Sequence, residues 1–120
     1  MDSPAPETRP DALDARAVAA HLRAAALAAV DPARAVAAAL ARDTPAGTLT
    51  VAGHPLALDQ FDRIFALGAG KAGAAMAQAA EAALGDLPTW QGGLVIVKDP
   101  PPQPGPATIE LVQAGHPLPD

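Results

Sequence analysis

The sequence contains no cysteine and no tyrosine, and its aromatic content is only 2%. The lack of cysteine excludes a disulfide framework and a thiolate metal site. Half of the residues are hydrophobic, so the core must be built from alanine, valine, leucine and isoleucine. Because small side chains each remove little apolar surface from water, we predict a thin core for a chain of 120 residues.

Long hydrophobic runs and basic clusters are also missing. The alanine-rich segment near the N-terminus is interrupted by His21, Arg23, Asp31 and Arg34, so no stretch reaches the length of a membrane span. The opening residues are acidic and rich in proline, unlike a signal peptide. The formal net charge is −5 and the eight basic residues are scattered, which argues against a nucleic-acid surface. We therefore expect a soluble cytoplasmic protein without nucleic-acid or membrane partners.

Two alanine-rich helices are predicted near the N-terminus, because alanine is the best helix former. Asp11 is placed to cap a first helix that runs to about Val30. Asp31-Pro32 then combines a preferred N-cap with proline at the first helical position, and the second helix would run to about Arg42.

Short apolar segments separated by turn residues predict the strands. They are a small hairpin of residues 48–51 and 55–58, and core strands at residues 63–67, 93–98 and 108–112. Residues 74–84 have strong helical propensity, with Gly85 at the C-cap position, and the proline-rich residues 99–106 must form an extended loop.

This order of elements indicates an α/β fold with a parallel sheet. We predict that residues 1–10 form a disordered leader and that residues 11–120 form one Rossmann-like domain, with helices flanking the sheet and two helices leading into it. About three core strands are visible, which is few for an open α/β sheet, so the domain is expected to be incomplete.

The glycine-rich turn after the first core strand is the candidate site. Gly68 and Gly70 would let the backbone turn sharply and approach a ligand closely. The first N–H groups of the following helix lack intrahelical partners and carry partial positive charge, so they form an anion site. Lys71 adds a full positive charge there, where the helix dipole disfavours a cation unless an anion joins it. The segment predicts a phosphate-type binding site.

Residues 68–73 also match the dinucleotide fingerprint G-x-G-x-x-G, and Asp99 follows the next strand as a ribose-binding acid would. A dinucleotide-binding module therefore stays open as an alternative. The turn is not a Walker A loop, because Ala72 offers no hydroxyl for Mg²⁺. The three histidines lie too far apart to suggest a metal site.

The chain resembles two families. The strand, the G-A-G-K turn and the helix are similar to sugar-phosphate isomerase (SIS) domains, although these usually have serine where Ala72 stands. This resemblance implies a sugar-phosphate-binding module, which stays open as a further alternative. The better match is the N-terminal domain, labelled DUF4147, of the glycerate 2-kinases that also carry a MOFRL domain. The resemblance lies in residues 70–86, 93–98 and 114–120 (the last being AGHPLPD), and in the DPARAV segment that begins at Asp31.

The glycerate-kinase resemblance implies phosphorylation of D-glycerate at O2 with ATP and Mg²⁺, giving 2-phosphoglycerate. It implies that Lys71 is catalytic and contacts the transferring phosphoryl group or the substrate. The substrate- or phosphate-binding residues that follow from it are Gly68, Ala69, Gly70, Lys71, Ala72 and His116. No protein metal ligand is assigned, and the oligomeric state is left open.

Two features depart from that family. The loop that begins Asp99-Pro100-Pro101 stands where the family usually carries a Tyr-Gly-His-like loop. Family members also run to several hundred residues. We therefore expect this chain to be the N-terminal part of such a kinase and to be inactive alone, and whether it is an enzyme by itself is left open.

Overall fold

The computed structural model describes residues 14–115. Its helices are α1 (Ala15–Ala29), α2 (Pro32–Ala39) and α3 (Gly73–Leu84), with a short 3₁₀ turn at Leu58–Gln60. Its strands are β1 (Leu40–Asp43), β2 (Thr48–Val51), β3 (His54–Ala57), β4 (Ile64–Ala69), β5 (Trp90–Val97) and β6 (Ile109–Gln113). The α/β class predicted from the sequence is confirmed, whereas the predicted leader at residues 1–10 lies outside the described part of the chain.

The chain divides into two compact units after Val30, and α1 is the described helix of the first. The carboxylate of Asp14 caps α1 by accepting a hydrogen bond from the Arg16 backbone N–H at 3.0 Å. The first helix was predicted to run to about Val30, and this end is confirmed because α1 ends at Ala29. Asp11, which we predicted as the cap, lies outside the described residues.

Helix α2 opens the second unit as predicted, with the Asp31 carboxylate accepting from the Arg34 N–H at 2.8 Å and Pro32 in the first turn. The predicted end near Arg42 is wrong, because the helix stops at Ala39 and β1 begins at the next residue. Residues 40–43 instead pair antiparallel with β2. Pairing with a neighbouring strand overrides the helical preference of these residues.

Strands β1, β2 and β3 form an antiparallel sheet in chain order. The predicted hairpin is present, although its second strand is His54–Ala57 and not residues 55–58, so that His54 lies opposite Val51. Its two-residue loop is Ala52-Gly53, with φ of 47° and 86°. Positive φ at both positions is characteristic of the tight turns whose twist matches that of hairpin strands.

The second sheet is parallel, with strand order β4-β5-β6. All three core strands predicted from the sequence are confirmed, although β5 begins three residues before the predicted start at Gly93. Helix α3 connects β4 to β5, whereas β5 and β6 are joined by the proline-rich loop without any helix. Because the strands run in one direction, their carboxyl ends share one edge of the sheet.

One face of this parallel sheet packs against α3 and supplies most of the core. The buried side chains are Leu49, Ala77, Leu84, Trp90, Val95, Val97 and Ile109. The alternate residues of β4 and β5 point to the opposite face and remain accessible; Leu67, for example, is 81% exposed. The core is therefore small and mainly aliphatic, as the composition predicted, although it also contains the Trp90 side chain.

A bulge in β5 brings its backbone close to both neighbouring strands. Ile64 aligns with Trp90 but Ala66 aligns with Gly93, so β5 contains an extra residue. Gly92 has a φ of +78°, and a Cβ built there would lie 2.1 Å from the Thr108 carbonyl oxygen. Only glycine fits this position, because any other residue would meet backbone as well as an unfavourable conformation.

Candidate functional site

The turn between β4 and α3 lies at the carboxyl edge of the parallel sheet. Strand β4 ends at Ala69, Gly70 adopts a φ of +137°, and α3 begins at Gly73 with Ala72 as its N-cap. Lys71 therefore directly precedes the N-cap, which confirms the predicted placement of a lysine at the start of a helix. No side chain caps this helix, because the Ala72 methyl group accepts no hydrogen bond.

Two amides of the turn are used to hold its shape. The Gly70 N–H donates to the Ile96 carbonyl oxygen at 2.9 Å, which ties the turn to the end of β5. The Gly73 N–H donates to the Gly70 carbonyl oxygen at 3.0 Å. These two bonds fix the backbone conformation of the turn, because one anchors it to the sheet and the other closes it on itself.

Four other amides at the same place are open to a ligand. Within residues 14–115, the backbone N–H groups of Lys71, Ala72, Ala74 and Ala75 have no hydrogen-bond acceptor. Unpaired N–H groups at a helix N-terminus are partially positive and favour an anion. The turn thus combines open donors with one ammonium group, which is the chemistry of a phosphate or carboxylate site.

Gly73 allows α3 to approach the sheet closely. A Cβ built on Gly73 would lie 2.8 Å from Val95 Cγ1 and 3.2 Å from Val97 Cγ1. Gly68 differs, because it lies within β4 and a Cβ there would make ordinary contacts of 3.6 and 3.7 Å with Val95. The prediction that Gly68 serves the sharp turn is therefore wrong. Gly70 is the residue with a positive φ, and Gly73 is the residue that lets the helix approach the sheet.

In a comparison with protein-family models, residues 18–120 match a domain of unknown function, DUF4147. The chain belongs to this family. No curated protein and no solved structure matches it. The matched segment contains all of α2, α3 and both sheets, so the turn at Lys71 is a part of the DUF4147 domain and not of an appended segment.

The other predicted site residues of the DUF4147 chain fall into two groups. Ala69, Gly70, Lys71 and Ala72 are consecutive and exposed at the turn, so the structure brings them together. His116 lies outside the described residues, and its predicted contact with the site stays a prediction. Its segment follows β6, whose end lies at the same edge of the sheet as the turn.

Glu81 of α3 binds the segment that leads into β6. The Glu81 carboxylate accepts hydrogen bonds from the backbone N–H groups of Ala107 and Thr108, both at 2.6 Å, and from the Thr108 hydroxyl. Trp90 Nε1 donates to the same hydroxyl at 2.8 Å. Glu81 therefore anchors the start of β6, a contact across 26 residues of sequence that no local pattern indicates.

These hydrogen bonds affect the acidity of Glu81. Desolvation by burial raises the pKa of the carboxyl group, but the hydrogen bonds from Thr108, Ala107 and Ile109 together outweigh it and lower the pKa below its ordinary value of 4.5. Gln78 adds a second tie by donating to the Pro104 carbonyl oxygen at 3.3 Å. The loop has no regular secondary structure and is largely exposed, as the proline-rich sequence predicted, and this bond ties it to α3.

The donor set at the turn suits phosphate better than a metal ion. Among the described residues no group of three His, Asp or Glu side chains could hold a metal, and the turn presents N–H groups, an ammonium and the Ala72 methyl. Mg²⁺ brought by ATP would have to bind phosphate oxygens and water, which is a common arrangement for this ion.

No helix in residues 14–115 is long and apolar enough to cross a membrane.

Proposed function

We propose that this DUF4147 chain forms part of a D-glycerate 2-kinase, which transfers a phosphoryl group from ATP to O2 of D-glycerate in the cytoplasm. The observation that supports the proposal is the juxtaposition of Lys71 with four open backbone N–H groups at the start of α3. We name D-glycerate as the substrate because the turn and the AGHPLPD segment resemble those of glycerate 2-kinases.

In this reaction O2 of glycerate forms a bond to the γ-phosphorus while the bond from that phosphorus to the ADP oxygen breaks, and the O2 proton is released. Negative charge on the transferring group is spread over its equatorial oxygens. The Lys71 ammonium and the open amides would neutralise this charge in fixed positions. Mg²⁺, when bound to the nucleotide, would supply further neutralisation of the phosphate oxygens.

The space beside the turn limits what this chain does alone. A cavity of about 190 Å³ lies between α3, β4 and α2 and is lined mainly by apolar side chains such as Val36, Met76 and Ala80. Neither Lys71 nor the residues of the four open amides line this cavity, so it does not enclose a ligand bound at the turn. We therefore expect the 120-residue chain to bind phosphoryl groups without phosphorylating D-glycerate by itself.

The test measures turnover of D-glycerate in a longer DUF4147 protein and in the 120-residue chain. In a longer DUF4147 protein, substitution of the lysine that corresponds to Lys71 by alanine should lower ATP-dependent phosphorylation of D-glycerate about 100-fold or more, because a charge-stabilising group is lost. An unchanged rate would remove Lys71 from the mechanism. Robust turnover by the 120-residue chain alone would contradict the expectation that it is inactive.

A dinucleotide-binding module is the second candidate, and the position of Gly73 favours it. In dinucleotide-binding turns the third glycine of the fingerprint allows close packing of helix on strand, and Gly73 has that contact with Val95. Calorimetric titration of the chain with NAD, ATP and D-glycerate separates the two. NAD binding much tighter than ATP binding would favour the dinucleotide module over the kinase.

A further inference from the structure

The face of the parallel sheet that is turned away from α3 is apolar and, within residues 31–115, exposed. Its side chains alternate along the strands with the buried ones of the core. The large apolar side chains exposed on this face are Phe65, Leu67, Leu94, Ile96 and Val112. Parallel sheets are normally covered on both faces, and contiguous apolar patches mark surfaces of association. This face therefore has the character of an interface.

Two opposite charges lie on the same face, one on each side of its centre. Ile96 of β5 is paired with Val112 of β6. Lys98 lies two residues beyond Ile96, and Glu110 lies two residues before Val112, so the alternation of side chains keeps both charges on this face. The pair of Ile96 and Val112 is thus midway between an ammonium and a carboxylate.

The described chain leaves both charges without an opposite partner. Within residues 14–115 the one ion pair joins Arg42 to Asp86, and about 13 Å along the strands separates Lys98 from Glu110. A second copy, related by a two-fold axis that passes midway between them, would place its Glu110 over Lys98 and its Lys98 over Glu110. Such self-complementary contacts are characteristic of two-fold symmetric dimers.

We propose that this face is the interface of a symmetric homodimer, with Ile96 and Val112 at its centre and two ion pairs between Lys98 and Glu110 of opposite copies. The charges favour a second copy over other occupants, because one face carries both members of each ion pair. The face of three strands measures only about 15 Å across, so the dimer is expected to be weak. The inference goes beyond the proposed function, since Lys71 takes no part in it.

Sedimentation equilibrium of the 120-residue chain at concentrations up to about 1 mM tests the dimer. We expect a reversible monomer–dimer equilibrium. Ile96→Lys should weaken it about tenfold or more, because each copy would bring an unpaired charge to the centre of the contact. Met76→Lys is the matched control, because Met76 is 45% exposed against 41% for Ile96 but lies on α3, across the sheet. A parent chain that stays monomeric, or equal dimerisation of both variants, would refute the proposal.

Charge reversal tests the ion pairs separately, at exposed positions where folding is not at risk. Lys98→Glu and Glu110→Lys should each weaken the dimer about tenfold, because two attractions become two repulsions. Combining both reversals should restore the affinity to within about threefold of the parent. Asp59→Lys, in the exposed 3₁₀ turn outside the parallel sheet, should change it by no more than about twofold. A double variant no stronger than the single ones would overturn the proposed arrangement of the two copies.

Discussion

Replacing Gly73 by alanine tests whether the close approach of α3 to the sheet is necessary. The added Cβ would lie 2.8 Å from Val95 Cγ1 and 3.2 Å from Val97 Cγ1. Both valines are buried, with 6% and 3% exposure, and β-branched side chains have few alternative rotamers. The methyl group therefore has to push the helix away from the sheet.

The magnitude follows from two opposing effects. Alanine gains up to about 1 kcal/mol over glycine in a helix, whereas overpacking a filled core costs about 1–3 kcal/mol. We expect a net destabilisation of roughly 1–2 kcal/mol, which corresponds to about 4–16 °C in the melting temperature of a domain of this size. The start of α3 should move with it, so pyrophosphate binding should weaken as well.

Gly68→Ala is the control for this prediction. A Cβ at Gly68 would make ordinary contacts of 3.6 and 3.7 Å with Val95, so the stability should stay within about 0.5 kcal/mol of the parent. Thermal unfolding followed by circular dichroism measures both variants. Equal melting temperatures for the two substitutions would refute the argument that close packing at Gly73 determines the position of the helix.

Two further predictions concern the attachment of β6. Because the folded pKa of Glu81 is lowered, its contribution to the free energy of unfolding is present above about pH 4.5 and is lost as the pH falls through the folded pKa. Glu81→Gln should therefore destabilise the chain at neutral pH, and in urea unfolding its free energy of unfolding should fall less than the parent's on acidification to about pH 3. Gly92→Ala should prevent correct pairing of β5 with β6, because its Cβ would meet the Thr108 backbone at 2.1 Å and its φ is +78°; a cooperative unfolding transition within about 1 kcal/mol of the parent would contradict this.

Local sequence patterns predicted most of the elements correctly. Asp31-Pro32 started a helix, Ala52-Gly53 closed a hairpin, and the apolar run before Gly68 formed the first parallel strand. The lysine before α3 was also found, because a glycine turn between a strand and a helix is a signal of short range. Each of these features depends on residues within a few positions of one another, and propensity, capping and turn chemistry act over that range.

Pairing between distant segments decided the rest. Residues 40–43 look helical by composition but become β1 because β2 offers backbone partners. Glu81 looks like a surface residue, yet its carboxylate binds the backbone at Thr108. Such contacts depend on which strands pair and in what register, which is determined by the packing of the whole domain and leaves no periodic trace in the sequence.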